Sequence, residues 1–152
     1  MSENLKTDAA GRAFLTKEEG EVLKTYLCAA GVLTIGVGHT GPDVVAPMTI
    51  TREQSQALLT KDLLRFEAAV NRLVTVPLTQ NQFNALVSFT FNLGEGALAK
   101  SSLLRYINAS ANGTRDQAAL KNYFRIWRNV NGKPSAAIEN RRLRECALFV
   151  KP

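Results

Sequence analysis

Residues 19–41 read EGEVLKTYLCAAGVLTIGVGHTG, and the change of character inside this stretch decides the fold. From Thr25 to Thr40 the chain is rich in β-branched residues and glycine and carries no acidic or basic side chain. That composition favours extended strands and predicts a β-hairpin turning near Ala29–Gly31. With a three-residue loop there, residue 28 lies opposite residue 32, and positions 26, 28, 32 and 34 share one face. Thr34 is then set beside position 28. Upstream, Lys6 to Glu19 reads as a helix, with Ala9, Ala10, Ala13 and Phe14 at helical spacing. Glu19 and Gly20 close it, so a glutamate ends a helix just where a hairpin begins.

Beyond the hairpin, Pro42 and Pro47 mark an irregular loop, and helices follow. Three of them are expected to open with a capping box, Thr three residues before Gln. Thr51 with Gln54 opens the longest, whose Leu59, Leu63, Phe66, Val70 and Leu73 form one apolar stripe. Pro77 ends that region. Thr79 with Gln82 opens the next helix, carrying Phe83, Leu86, Val87 and Phe91 before a stop at Asn92–Gly96. A short helix is expected from Ser101 to Asn108. Thr114 with Gln117 opens another, burying Leu120, Phe124 and Trp127. Asn131–Gly132 makes a turn, and a last helix runs from Ser135 to Phe149. The predicted architecture is α+β within one domain of 152 residues. A hairpin lobe over about residues 20–50 is joined by a connecting helix over about 51–74 to a helical lobe over about 78–150. The N-terminal helix belongs to the helical lobe in this reading.

The chain is 45% hydrophobic and 21% charged, with net charge +6. The charge points to an anionic partner, with nucleic acid, anionic lipid and cell wall all qualifying. No apolar run approaches the roughly 18 residues of a membrane span, and the first twenty residues lack a secretory core. Accumulation in the cytosol is the expectation. Cys28 and Cys146, the two cysteines, form neither a disulfide framework nor a metal spacing, and read as free thiols.

Glu19 is the residue with chemical promise. A carboxylate at a helix C-terminus meets the negative end of the helix dipole, which disfavours ionisation. Partial burial adds to that. A carboxylic acid kept protonated near neutral pH can protonate the leaving oxygen of a glycosidic bond. A lone glutamate near a helix end is more often a solvated charge, which is how the neighbouring Glu18 and Glu21 read.

The surrounding motif singles Glu19 out. Glu19, Gly20, Tyr26, Gly31, Thr34, Ile35, Gly36, Gly38 and His39 resemble, in kind and spacing, the signature of the phage-type lysozymes of glycoside hydrolase family 24. The resemblance continues through LTQNQFNALVSFTFNLGEGAL (78–98), SSLLRYIN, FRIWRNVNGK and NRRLRECALF, covering about Thr16 to Phe149. It implies a lysozyme-like fold with a cleft between two lobes. It also implies cleavage of the β-1,4 bond between N-acetylmuramic acid and N-acetylglucosamine in peptidoglycan. Glu19 becomes the general acid, and Thr34 holds the attacking water or orients the second catalytic group.

One position departs from the family: its Asp nine residues after the Glu is Cys28 here. A thiol of ordinary pKa is only a few per cent thiolate at pH 7. Three readings stay open: Cys28 as base or nucleophile, a tolerated thiol beside a Thr34-held water, or a glycan binder that does not cut. Without the second carboxylate, carboxylate spacing does not decide retention or inversion; a water beside Thr34 favours inversion.

The resemblance assigns further positions. His39 pairs with Asp62 on the long helix. Gly36 and Gly38 serve either close approach of the sugar or a turn needing glycine. Thr40, Phe91, Asn92, Gly94 and Ser101 contact substrate, and Arg141 or Arg142 pairs with Glu19. Trp127 reads as core. No metal and no cofactor are implied. The expected protein is a monomer acting on peptidoglycan glycan strands, released from the host cytoplasm to the periplasm by a membrane-permeabilising partner. It neither inserts in a membrane nor binds nucleic acid, for which the Arg141–Arg144 cluster is the sole candidate.

Overall fold

The structure is a computed structural model and describes residues 4–110 and 115–152. Among these, helix α1 (Ala9–Glu19) leads into strands β1 (Val22–Leu27) and β2 (Leu33–Gly36), then the long helix α2 (Arg52–Leu73). Helices α3 (Gln80–Leu93), α4 (Glu95–Lys100), α5 (Ser102–Ala109) and α6 (Gln117–Arg125) follow. A short pair of strands, β3 (Asn129–Val130) and β4 (Lys133–Pro134), precedes α7 (Ala136–Val150). The fold is α+β, helix-rich with two small antiparallel sheets. The chain groups into two compact units, Arg12–Arg65 and Phe66–Pro152 with the residues up to Gly11.

In the first unit, the β1–β2 hairpin is irregular. Val22 pairs with Gly36 and Tyr26 with Thr34, so four steps along β1 match two along β2. The surplus is a bulge, which bends the strand and re-aims its side chains. The loop has the expected three residues: the Cys28 amide donates to Val32 O at 3.0 Å, and Gly31, at φ +78°, completes the turn. This is a three-residue hairpin closed by a left-handed residue. Helix α2 opens with the expected box, in which the Thr51 amide donates to Gln54 Oε1 and the Gln54 amide to Thr51 Oγ1. Its stripe residues Leu59, Leu63, Phe66 and Val70 are buried. Helix α1 begins at Ala9 rather than Lys6, because the Asp8 carboxylate takes the Gly11 amide at 2.9 Å and acts as cap.

In the second unit, α3 is the central element. All residues from Phe83 to Thr90 are buried, so it is enclosed rather than one-faced. The Thr79–Gln82 capping box is complete. Phe89 meets Phe124 edge-on at 6.0 Å, and Phe124 meets Phe149 at 5.9 Å. Burial of each such ring contributes about 1.5–3 kcal/mol. Three boundaries differ from expectation. The stretch expected as a stop holds α4, hinged from α3 at Gly94 with φ +95°. Thr114, expected to open α6, lies outside the described residues, and Asp116 caps that helix through the Ala118 amide. Trp127 falls beyond α6, half-buried, with its ring edge-on to Phe89 at 5.8 Å.

Candidate active site

Glu19 is the last residue of α1. Gly20 follows with φ +77°, and its amide donates to Thr16 O at 2.8 Å. This left-handed cap ends the helix and turns the chain at once into β1. Glu19 is half-buried.

Across the hairpin, Thr34 stands opposite Tyr26, and Cys28 opposite Val32. Thr34 is 3% exposed, and its hydroxyl lies 2.9 Å from Val32 O. The Cys28 thiol is half-buried and free of any disulfide. The Val32 and Ala30 amides and the Thr34 hydroxyl hold it below the ordinary thiol range, outweighing burial. A threonine hydroxyl has one proton. With Cys28 as a thiol, that proton goes to Val32 O; with a thiolate, it turns to sulfur. The Tyr26 phenol is pushed up by burial first, then by Cys28 and Glu19. One tyrosine therefore senses both groups.

The turn after Thr34 requires glycine. Ile35 and His39 exchange both backbone hydrogen bonds at 2.9 Å around Gly36 and Gly38, at φ +66° and +64°. Of the two roles left open for these glycines, the turn is the one seen. His39 closes it. Its Nδ1 lies 2.6 Å from Asp62 Oδ2, the contact expected from sequence, and its Nε2 lies 2.9 Å from Asp43 Oδ2, a partner not expected. Burial pulls the imidazole down, but the hydrogen bonds and charges of Asp62 and Asp43 reverse this and leave its pKa raised. A raised histidine stabilises the folded state fully below the unfolded value of about 6.5, and loses that contribution as pH rises through the folded value. The advantage of the natural protein over His39→Asn in urea melts should therefore be full below about pH 6 and shrink as the pH rises through the raised folded value. A constant gap over that range would show that the imidazolium adds nothing.

Thr40 is exposed. In the other unit, Phe91 is half-buried with its ring 5.2 Å from Phe66, Gly94 hinges α3 to α4, and Asn92 is exposed. Arg142 Nη2 donates to Asn92 Oδ1 at 2.8 Å, which orients that amide. Ser101 departs from its expected role as a sugar contact. It is 1% exposed, its hydroxyl donates to Leu98 O and accepts the Leu104 amide, and its work is to cap α5. Arg141 and Arg142 share a buried carboxylate, Glu145, at 3.3 and 2.8 Å. Ser88 Oγ donates to the same carboxylate at 2.6 Å.

Glu21, read from sequence as a solvated charge, is not one. Its side chain is 14% exposed and accepts hydrogen bonds from Ser55 and Gln56. No local signal announced this, because both donors lie more than thirty residues away. Asp43 had a signal: it stands four residues from His39 in the loop that follows.

A helix-rich α+β fold in which a glycine-turned hairpin directly follows the first helix is a lysozyme-like fold. Residues 16–145 match the family described as phage lysozyme, and the chain belongs to that family. It is 41% identical over 150 residues to the endolysin of Salmonella phage P22, covering 96% of this chain and 99% of that protein. A solved P22 lysozyme variant superposes with a TM-score of 0.82 at 41% identity, over 97% of this chain and 99% of that one. The muramidase domain of SpmX from Asticaccaulis excentricus gives 0.84 at 36% identity, over 97% and 99% of the two chains.

Proposed function

We propose that this protein is a muramidase that cuts the β-1,4 bond between N-acetylmuramic acid and N-acetylglucosamine in peptidoglycan, with Glu19 as general acid and Cys28 as base. Membership of the phage lysozyme family makes it a peptidoglycan hydrolase of the endolysin type. The observation that supports the finer reading is the hairpin, in which Thr34 faces Tyr26, Cys28 faces Val32 two residues on, and the Thr34 hydroxyl is one of the groups that hold the Cys28 thiol below its ordinary range. In the proposed step, the Cys28 thiolate takes a proton from a water held by Thr34. The water oxygen attacks the anomeric carbon, and Glu19 gives its proton to the departing sugar oxygen. The outcome is inversion, readable by NMR of the first-formed anomer. The net charge of +6 suits an anionic wall polymer. Among the described residues no helix is long and apolar enough to cross a membrane. Delivery to the wall by a membrane-permeabilising partner, and action as a monomer, belong to the same proposal.

The missing carboxylate favours a second reading, a catalytically weak or silent glycan binder on this fold. Comparing the natural protein with Glu19→Gln, Cys28→Asp and Cys28→Ala on purified peptidoglycan separates the two. If Cys28→Asp alone is active, the natural protein is a binder; if Cys28→Ala matches it, the thiol has no chemical role. With Cys28 as base, Cys28→Ala loses about 10²-fold or more in kcat. The pH profile adds an independent sign. The acid limb of activity follows ionisation of the base, and a thiolate forms at higher pH than a carboxylate, about 8.5 against 3.9 in unfolded chains. Cys28→Asp should therefore move the acid limb to lower pH.

A further inference from the structure

We propose that Glu21 is a positioning residue which, through Ser55 and Gln56 of α2, holds Glu19 and Thr34 at their working separation. The inference rests on the muramidase reading and deepens it.

Glu21 stands two residues after Glu19, beyond the Gly20 joint. Its Oε2 accepts from Ser55 Oγ and from Gln56 Nε2, each at 2.8 Å, while Arg52 Nε lies 3.5 Å from Oε1. The Gln56 and Ser55 hydrogen bonds, with Arg52 adding to them, hold its carboxyl below the usual range. It is thus a fixed anion at neutral pH.

Each donor is itself tied to a segment that carries a site residue. Gln56 accepts two hydrogen bonds from Arg12 Nη2, one at its side-chain oxygen and one at its carbonyl, both at 2.9 Å. Arg12 also donates to Thr60 Oγ1 at 2.9 Å. Arg12 belongs to α1, the helix that ends in Glu19. Ser55, 0% exposed, lies against Gly36, where an added Cβ would come 3.1 Å from Ser55 Oγ. Gly36 ends β2, two residues after Thr34, and pairs with Val22 next to Glu21. One turn of α2 therefore anchors α1 along its side, the chain just past Glu19, and the strand that bears Thr34.

The physical need is clear. A general acid works only within a fraction of an ångström of its productive place, and misplacement by about 1 Å costs about 10²-fold. Glu19 sits at a helix end followed by a left-handed glycine, where the backbone has little stiffness of its own. The Glu21 anchor supplies that stiffness from outside the helix. Nothing in the apolar core requires a carboxylate there.

The test uses Glu21→Ala, Ser55→Ala and Glu21→Gln in the full chain, with kcat and KM measured on soluble peptidoglycan fragments well below each melting temperature. The expected result is a kcat lower by about 10- to 100-fold in the two alanine variants, with KM within about twofold. Glu21→Gln, whose amide oxygen still accepts from Ser55, should recover part of the loss. A second readout does not depend on turnover: the Tyr26 phenol, which Glu19 helps to raise, should titrate differently by NMR in Glu21→Ala as Glu19 is displaced. A natural protein inactive on peptidoglycan overturns the muramidase reading alone, and the Tyr26 titration then decides the positioning. Variants that melt earlier but keep kcat and the Tyr26 titration overturn the proposal. Should Glu21→Ala not fold, Ser55→Ala and Glu21→Gln carry the same comparison.

Discussion

Glu19→Gln should lower kcat on purified peptidoglycan by about 10²–10⁴-fold, the usual worth of a general acid, with glycan affinity close to that of the natural protein. The substitution keeps the size and shape of the side chain, and the Gly20 cap that ends α1 is made by backbone atoms that it does not alter. What it removes is a proton that can be given away. A departing sugar alkoxide is a poor leaving group in water, and the carboxylic acid beside it lowers the barrier by supplying that proton as the bond breaks. An amide cannot, so the loss appears in kcat rather than KM. Co-sedimentation with insoluble peptidoglycan should show the variant still bound. Full retention of turnover would falsify the central assignment, whatever Cys28 does.

The largest effect on stability is expected at Glu145, inside α7. Its carboxylate is 0% exposed and contacts Arg141, Arg142 and Ser88 Oγ. Burial raises its pKa, and Arg142 and Arg141 oppose that rise. Replacement by alanine takes away the buried anion while two guanidiniums that cannot lose their charge stay in place. Removing one partner from a buried ionic cluster costs about 3–5 kcal/mol. At about 2–4 °C per kcal/mol for a chain of this size, Glu145→Ala should melt about 6–20 °C below the natural protein. A Glu145→Gln variant keeps the volume and the acceptor for Ser88, and should fall between the two. A melting temperature within about 2 °C of the natural one would mean that the arginines find other compensation. Because Arg142 also orients Asn92, the alanine variant tests whether that amide depends on the cluster.

The hairpin was legible because its determinants are local. β-branched residues in Thr25–Thr40, a glycine at the third loop position and the Gly36–Gly38 pair specify the hairpin and its turn within sixteen residues, although β1 itself begins earlier, at Val22. The capping boxes at Thr51 and Thr79 were legible for the same reason, as was the His39–Asp62 contact once the family motif had been recognised. The bulge in β1 was not, since only the pairing partner reveals the surplus. Ser101 was misassigned because a serine that caps a helix and one that faces a sugar look alike until burial is known. Glu21 and Glu145 were passed over for a related reason. A carboxylate is a solvated charge by default, and its donors here lie 34 and 57 residues away in the chain.

The amino-acid sequence by itself determined the family, the α+β class, the glutamate at the end of α1 and the thiol at the position where the family has an aspartate. These follow from residue type at short spacing. The tertiary structure decided which charges are working parts. It enclosed α3 on every side, gave His39 a second carboxylate and placed Glu145 among arginines in the core. It also turned Glu21 from a surface acid into an anchor for its neighbour. Each of these depends on hydrogen bonds and burial between segments distant in sequence, where the chemistry of one residue is set by another that no local pattern names.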